Sequence, residues 1–171
     1  MPEENKMKEI FVDRLVINIG TGSEKNTLAN ARKLLEVITA RKPSNSYSKK
    51  RNPAFKIVKG QQIGTFVTIR GDDITPLAKR LLDSVENKLR SSCVTNNSVS
   101  FGVREYIDIS GVKYDPKIGM LGMNVNLSFK RKGERVSLRK RKRGEIPAKH
   151  RIIPKDIIKN YMQTQYKIEF I

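Results

Sequence analysis

Hydrophobic and polar positions along this chain switch between a period of two and a period near 3.6, the signatures of strand and helix. In residues 14–20, Leu15, Ile17 and Ile19 share one face, while Val16 and Asn18 share the other, which predicts a strand. Leu28, Ala31, Leu34, Leu35 and Ile38 then recur at helical spacing behind Asn26 or Thr27, either of which can serve as N-cap. Arg41-Lys42-Pro43 ends that helix, and residues 44–56 alternate weakly, as a polar strand running into a loop at residues 55–64. Residues 65–70 form a second strong strand closed by Gly71. Asp72, Asp73 and Thr75-Pro76 then give helix-start chemistry, with proline expected at the first helical position and Leu77, Ala78, Leu81, Leu82, Val85 and Leu89 as the apolar stripe.

Beyond Asn96-Asn97, residues 98–104 and 123–129 read as strands; in the second, Met123, Val125, Leu127 and Phe129 alternate with Asn124, Asn126 and Ser128. Residues 154–166 read as a short C-terminal helix. Strand and helix alternate without internal repeat. The simplest packing is a single α+β domain over residues 1–171: a core at about 8–129, a basic loop at about 130–153 and the terminal helix. Its mixed or antiparallel sheet carries two main helices on one face and leaves the other face open.

Charge changes this picture from a fold to a partner. The 171 residues hold 35 Lys and Arg against 17 Asp and Glu, a formal net charge of +18, well beyond what solubility requires. A polyanionic partner is implied. The excess is concentrated: residues 130–143 contain nine cations and one acid, a density that should keep the segment flexible until anions neutralise it. Apolar runs reach three or four residues, so no membrane span is expected. Met1 to Lys6 lacks the pattern of a secretory leader, which predicts a cytoplasmic protein. Cys93 and His150 are single residues of their kind, which leaves no disulfide and no common zinc ligand set. No cofactor or metal and no enzymatic activity are expected.

Three local patterns invite a chemical reading. Gly20-Thr21-Gly22-Ser23-Glu24-Lys25 lies between a strand and a helix, yet it lacks the third small residue of a dinucleotide fingerprint and the Gly-Lys-Ser/Thr of a P-loop; a tight turn accounts for it. Asp72-Asp73 is explained by helix-start electrostatics before any carboxylate chemistry. His150 sits between Lys149 and Arg151, where an imidazole can stack or hydrogen-bond against RNA.

Five stretches, taken together, resemble one family. They are Leu15-Val16-Ile17-Asn18-Ile19-Gly20; Phe55-Lys56-Ile57 with Gln62-Ile63-Gly64; Val67-Thr68-Ile69-Arg70-Gly71; Phe101-Gly102-Val103-Arg104-Glu105; and Lys113-Tyr114-Asp115-Pro116 with Ile118-Gly119. The family is the large-subunit ribosomal proteins that bind 5S ribosomal RNA, L-five, called L-eleven in eukaryotes. Ala148-Lys149-His150-Arg151-Ile152 resembles its archaeal and eukaryotic branch.

The resemblance implies a ferredoxin-like α/β sandwich whose open sheet face meets 5S RNA in the central protuberance. Asn18 and Thr68 match hydrogen-bonding positions of the family, and Arg70 follows on the same strand. Arg41 stands where bacterial members usually carry Gln, which suits a phosphate better than a base. The loop at about 52–62, with Phe55, Lys56, Lys59, Gly60 and Gln61, resembles the loop that reaches the peptidyl-site (P-site) transfer RNA; Phe55 and Ile57 are expected to stiffen its base, and Gly60 to allow close backbone approach. Arg139, Lys140, Arg141, Lys142 and Arg143, with Lys149, His150 and Arg151, are expected to contact large-subunit ribosomal RNA. The implied partners are 5S RNA, large-subunit RNA, P-site transfer RNA and neighbouring proteins of the central protuberance, with no membrane, and the implied location is the ribosome in the cytoplasm. A free-standing basic RNA-binding module or RNA chaperone is the alternative that composition alone leaves open.

Overall fold

The computed structural model describes residues 5–171; Met1 to Glu4, part of the stretch read for a leader, lie outside them. Strand β1 (Ile10–Gly20) is the central element, starting four residues before the strongest alternation because a bulge at Asp13 restores the register. Helix α1 (Lys25–Thr39) follows, then β2 (Ser44–Tyr47), β3 (Gln62–Ile69), α2 (Ile74–Asp83), β4 (Lys88–Leu89), β5 (Val94–Thr95), β6 (Ser98–Val103) and β7 (Met123–Arg131). The chain closes with α3 (Arg135–Leu138), α4 (Ala148–Arg151), α5 (Lys155–Tyr166) and β8 (Glu169–Phe170).

Six strands form one sheet in the order β2-β3-β1-β7-β6-β5, every pair antiparallel. The period-two pattern decides which side is covered. Leu15, Ile17, Ile19, Val67, Ile69, Val99, Phe101, Val103, Val125, Leu127 and Phe129 are buried on one side. They join Leu34, Leu35 and Ile38 of α1, Leu77, Leu81 and Leu82 of α2, and Ile158, Met162 and Tyr166 of α5 in one cluster. Each fully buried aliphatic side chain here contributes about 1.5–3 kcal/mol. Phe129 meets Tyr161 edge-on, ring centroids 5.7 Å apart. Burial raises the hydroxyl pKa of Tyr161 and Tyr166 above the usual 10.0, with Glu9 adding to the first and Tyr161 to the second. The expected α+β sandwich, with helices on one face of an antiparallel sheet and the other face open, is therefore the architecture found.

Several local expectations are corrected. Asn26 and Thr27 are helical, since α1 starts at Lys25 behind Glu24, and the Thr27 hydroxyl donates to the Glu24 carboxylate at 2.7 Å. Pro76 is the third residue of α2, and Asp73, just before that helix, spends its carboxylate on Arg41 instead of capping. Leu89 does not belong to the α2 stripe: Glu86 and Asn87 adopt positive φ (+55° and +56°), the chain turns, and β4 pairs in parallel with β8 as a separate two-stranded sheet. The polar strand expected over residues 44–56 is confined to Ser44–Tyr47.

The basic stretch divides in two. Its first part is fastened to the core: Lys130 Nζ lies 3.0 Å from Asp13 Oδ2, Lys132 pairs with Glu9, and Ser137 is buried. Residues 138–143 form an unbroken exposed run. Charge density alone overlooks the acids that β1 and the segment before it bring alongside.

Candidate RNA interface

The open face is set by the same alternation that builds the core. Across β3, β1, β7 and β6, Val16 stands opposite Thr68 and Asn126, Asn18 opposite Phe66 and Asn124, Asn126 opposite Ser100, and Asn124 opposite Gly102. Asn18 and Thr68 are thus diagonal neighbours on adjacent strands, about 7–8 Å apart. Both are exposed. Among the described residues, the side chains of Asn18, Thr68 and Asn124 make no hydrogen bond, whereas Asn126 donates to the Ser100 hydroxyl at 2.9 Å and accepts from Ser128 at 3.3 Å. The centre of this face is a shallow trough of about 450 Å³, lined by Val16, Asn18, Ser100, Gly102, Asn124 and Asn126. Exposed amide groups with unspent donors and acceptors can hydrogen-bond bases, riboses or phosphates alike.

Arg70, two residues past Thr68 and just beyond β3, is exposed. Arg41 is elsewhere: it follows the left-handed Ala40 at the end of α1 and pairs with Asp73 at the start of α2. The structure therefore gathers Asn18, Thr68 and Arg70 and leaves Arg41 at the helical side, its guanidinium already engaged. Asn124, Asn126 and Ser100 complete the face; sequence reasoning does not single them out, although the alternation of β7 puts both asparagines on its polar side.

At the end of the sheet near Gly20 and Gly64, residues 48–61 form a closed loop. Ser48 and Gln61 close its base, with Ser48 N–H donating to the Gln61 carbonyl at 2.8 Å and Gly60 N–H to the Ser48 carbonyl at 2.9 Å. A second tier pairs Asn52 and Ile57 in both directions, at 2.9 and 3.0 Å. Gly60 has φ +82° and Lys56 φ +53°, so Gly60 is needed for its backbone conformation. The expected stiffening by Phe55 is not found. That ring is 69% exposed at the tip, in a single turn led by Pro53, while backbone pairs do the stiffening. Gln61 turns inward, its Oε1 accepting from Val58 N–H at 3.0 Å. Lys49, Lys50, Arg51, Lys56 and Lys59 are exposed, and residues 48–61 contain no acid.

The second cationic loop leaves α3 and folds on itself. Gly144 N–H donates to the Val136 carbonyl at 3.2 Å, and Arg139 Nε to the Lys142 carbonyl at 2.6 Å. Arg139, Lys140, Arg141, Lys142 and Arg143 project outward, as do Lys149, His150 and Arg151 on α4. The glycine turn before α1 is committed to β3: the Thr21 and Gly22 amides both donate to the Ile63 carbonyl, at 3.0 and 3.2 Å. Among the described residues, no group of His, Cys, Asp or Glu could hold a metal ion, and no helix is long and apolar enough to cross a membrane.

A one-sided α+β scaffold with an unspent polar face and two outward cationic loops defines the class: a basic protein built to display surface. Residues 5–57 match the family "Ribosomal protein L5", and residues 62–157 match the C-terminus of that same ribosomal family. The chain is 40% identical to large ribosomal subunit protein uL5 of Archaeoglobus fulgidus over 156 residues, 91% of this chain and 88% of that protein. It is 37% identical to uL5 of Methanosphaera stadtmanae, over 96% of this chain and 98% of the relative, and 34% identical to uL5 of Sulfolobus acidocaldarius, over 99% and 95%. The chain belongs to the L5 family of large-subunit ribosomal proteins, in its archaeal and eukaryotic type, and is a structural constituent of the ribosome and not an enzyme.

Proposed function

We propose that this protein binds 5S ribosomal RNA through the open face of its sheet and joins it to large-subunit ribosomal RNA in the central protuberance. Asn18, Thr68 and Arg70 supply the 5S contacts, with Arg41 meeting a phosphate once it exchanges Asp73 for RNA. Residues 139–143, with Lys149, His150 and Arg151, meet large-subunit RNA. The loop at about 52–62 reaches the P-site transfer RNA, whose backbone Lys56 and Lys59 contact without reading sequence, as a loop that must accept every transfer RNA requires.

The observation that carries the reading is the free polar face: Asn18 and Thr68 are exposed, adjacent and without intramolecular hydrogen bonds, on a scaffold of net charge +18. Competition of 5S RNA against transfer RNA and a random duplex, at about 150 mM salt where non-specific contacts weaken, tests it. A preference of about a hundredfold or more for 5S RNA is expected. Equal binding to all three would reduce the protein to a non-selective basic module.

A further inference from the structure

After β7 the chain leaves the sheet, passes through the basic loop, and must return to lay α5 on the apolar face. One side chain fastens that return. Asn97, in the turn between β5 and β6, donates from Nδ2 to the Arg151 carbonyl at 2.8 Å and accepts at Oδ1 from the Ile153 N–H at 2.9 Å. Its own carbonyl accepts from the Phe129 N–H at 2.8 Å. A single residue thus ties together a hairpin turn, the end of β7 and the last turn of α4. Ile153, next to the clamp, is fully buried and anchors the chain where it rejoins the core.

Asparagine suits this position for two separable reasons. Its φ is +66°, a left-handed conformation that asparagine and aspartate tolerate better than other side chains do. Its amide also supplies a donor and an acceptor on one carbon, which aspartate does not. The start of the loop is fastened independently, by the Lys130–Asp13 and Lys132–Glu9 pairs and by Gly133, where a Cβ would come 3.3 Å from the Met7 carbonyl. Between the two fastenings, residues 139–151 carry seven Lys or Arg and one acid.

We infer that Asn97 is a positioning residue for RNA phosphate recognition, holding the basic loop and α4 in the arrangement in which their cations meet a nucleic-acid backbone. The inference rests on the reading of residues 139–151 as RNA-contacting. An unfastened loop would carry the same charges and make the same contacts once bound, but it would first have to lose conformational freedom. Removing the clamp therefore weakens binding without changing how many counterions RNA releases, whereas removing cations lowers that number and flattens the salt dependence. The two effects separate in one titration.

The test uses the full chain and a random 20-base-pair RNA duplex titrated from about 50 to 300 mM KCl. Asn97→Gly keeps the positive φ available and removes only the side chain. Expected are an affinity about three- to tenfold lower at every salt concentration, an unchanged slope of log affinity against log salt, and faster amide exchange at Ile153 while β6 and β7 stay protected. Asn97→Asp retains the acceptor for Ile153 but sets a carboxylate oxygen against the Arg151 carbonyl, so it should also lower affinity at an unchanged slope, and it carries the test if the glycine variant fails to fold. In a chain with residues 139–143 changed to Ser together with K149Q and R151Q, Asn97→Gly should cost little further affinity. The inference is overturned by wild-type affinity in Asn97→Gly, by a flattened slope there, or by an equal loss in the charge-depleted chain. If the charge-depleted chain itself binds the duplex as tightly as wild type, the assignment of the loop to RNA fails, and the inference falls with it.

Discussion

At the scale of single residues, the side chains that build the core and those proposed to meet RNA lie on opposite faces of the same strands. Asn18 and Thr68 are exposed and have no hydrogen bond within the protein, so Asn18→Ala with Thr68→Ala should shift the urea midpoint by no more than about 0.5 kcal/mol of stability per site. The same pair should cost about 1–3 kcal/mol of 5S affinity and make unrelated RNA a better competitor; loss of affinity for all RNAs alike would argue against base or ribose contacts there. Gly64 is the opposite case. It stands across from Gly20 at the β1–β3 pairing, and a Cβ there would lie 2.6 Å from the Ile19 carbonyl oxygen, a backbone atom of the neighbouring strand. Gly64→Ala must push β3 from β1, and a loss of about 1–3 kcal/mol in urea denaturation is expected. A Cβ at Gly102, on the open face, lies 3.6 Å from the Asn124 side-chain oxygen and 3.9 Å from the Met123 carbonyl oxygen, ordinary contact distances, so Gly102→Ala serves as the control that folds normally.

At the scale of elements, the basic stretch is two devices in sequence. Lys130 and Lys132 are paired within the protein, with the half-buried Asp13 and the exposed Glu9, while residues 139–143 face solvent. Changing residues 139–143 to Ser should leave the fold intact, lower affinity for every RNA and reduce the salt slope by up to about 0.9 for each phosphate the loop no longer neutralises. An unchanged slope would remove this loop from the interface. What the chain pattern reveals, and what it hides, divides along the same physical line. The strands are legible where one face is buried and the other wet, because period-two alternation reports that condition directly; this is how Asn18 and Thr68 can be placed together. The pairing of β4 with β8 is not legible, since two-residue strands carry no period and their partners lie far apart in the chain. Nor is the engagement of Arg41 by Asp73, which depends on two helix ends meeting in space. The Asn97 clamp is hidden for the same reason: Asn96-Asn97 reads as a turn, and nothing local shows that its amide reaches 54 residues ahead.

At the scale of the whole molecule, charge is held in place at a cost to the isolated fold. Thirty-five Lys and Arg face seventeen acids, and the described residues contain five ion pairs, among them those of Lys130 and Lys132. Most cations therefore have no acidic partner, and the fold holds all of them within one compact body. Their mutual repulsion is weaker in the unfolded chain, where average separations are larger, so net charge of this size destabilises the compact state. Salt screens that repulsion over a Debye length of about 10 Å at 0.1 M and about 3 Å at 1 M. Exposed ion pairs are screened too, but each contributes only about 0–1 kcal/mol and they are outnumbered. The thermal midpoint of the free protein should therefore rise by several degrees between about 50 and 500 mM KCl. The chain with residues 139–143 changed to Ser should start from a higher midpoint at low salt and rise less, because part of the repulsion has already been removed. A midpoint that falls with salt in wild type would mean that the ion pairs outweigh the repulsion and that the fold tolerates its charge without a polyanion.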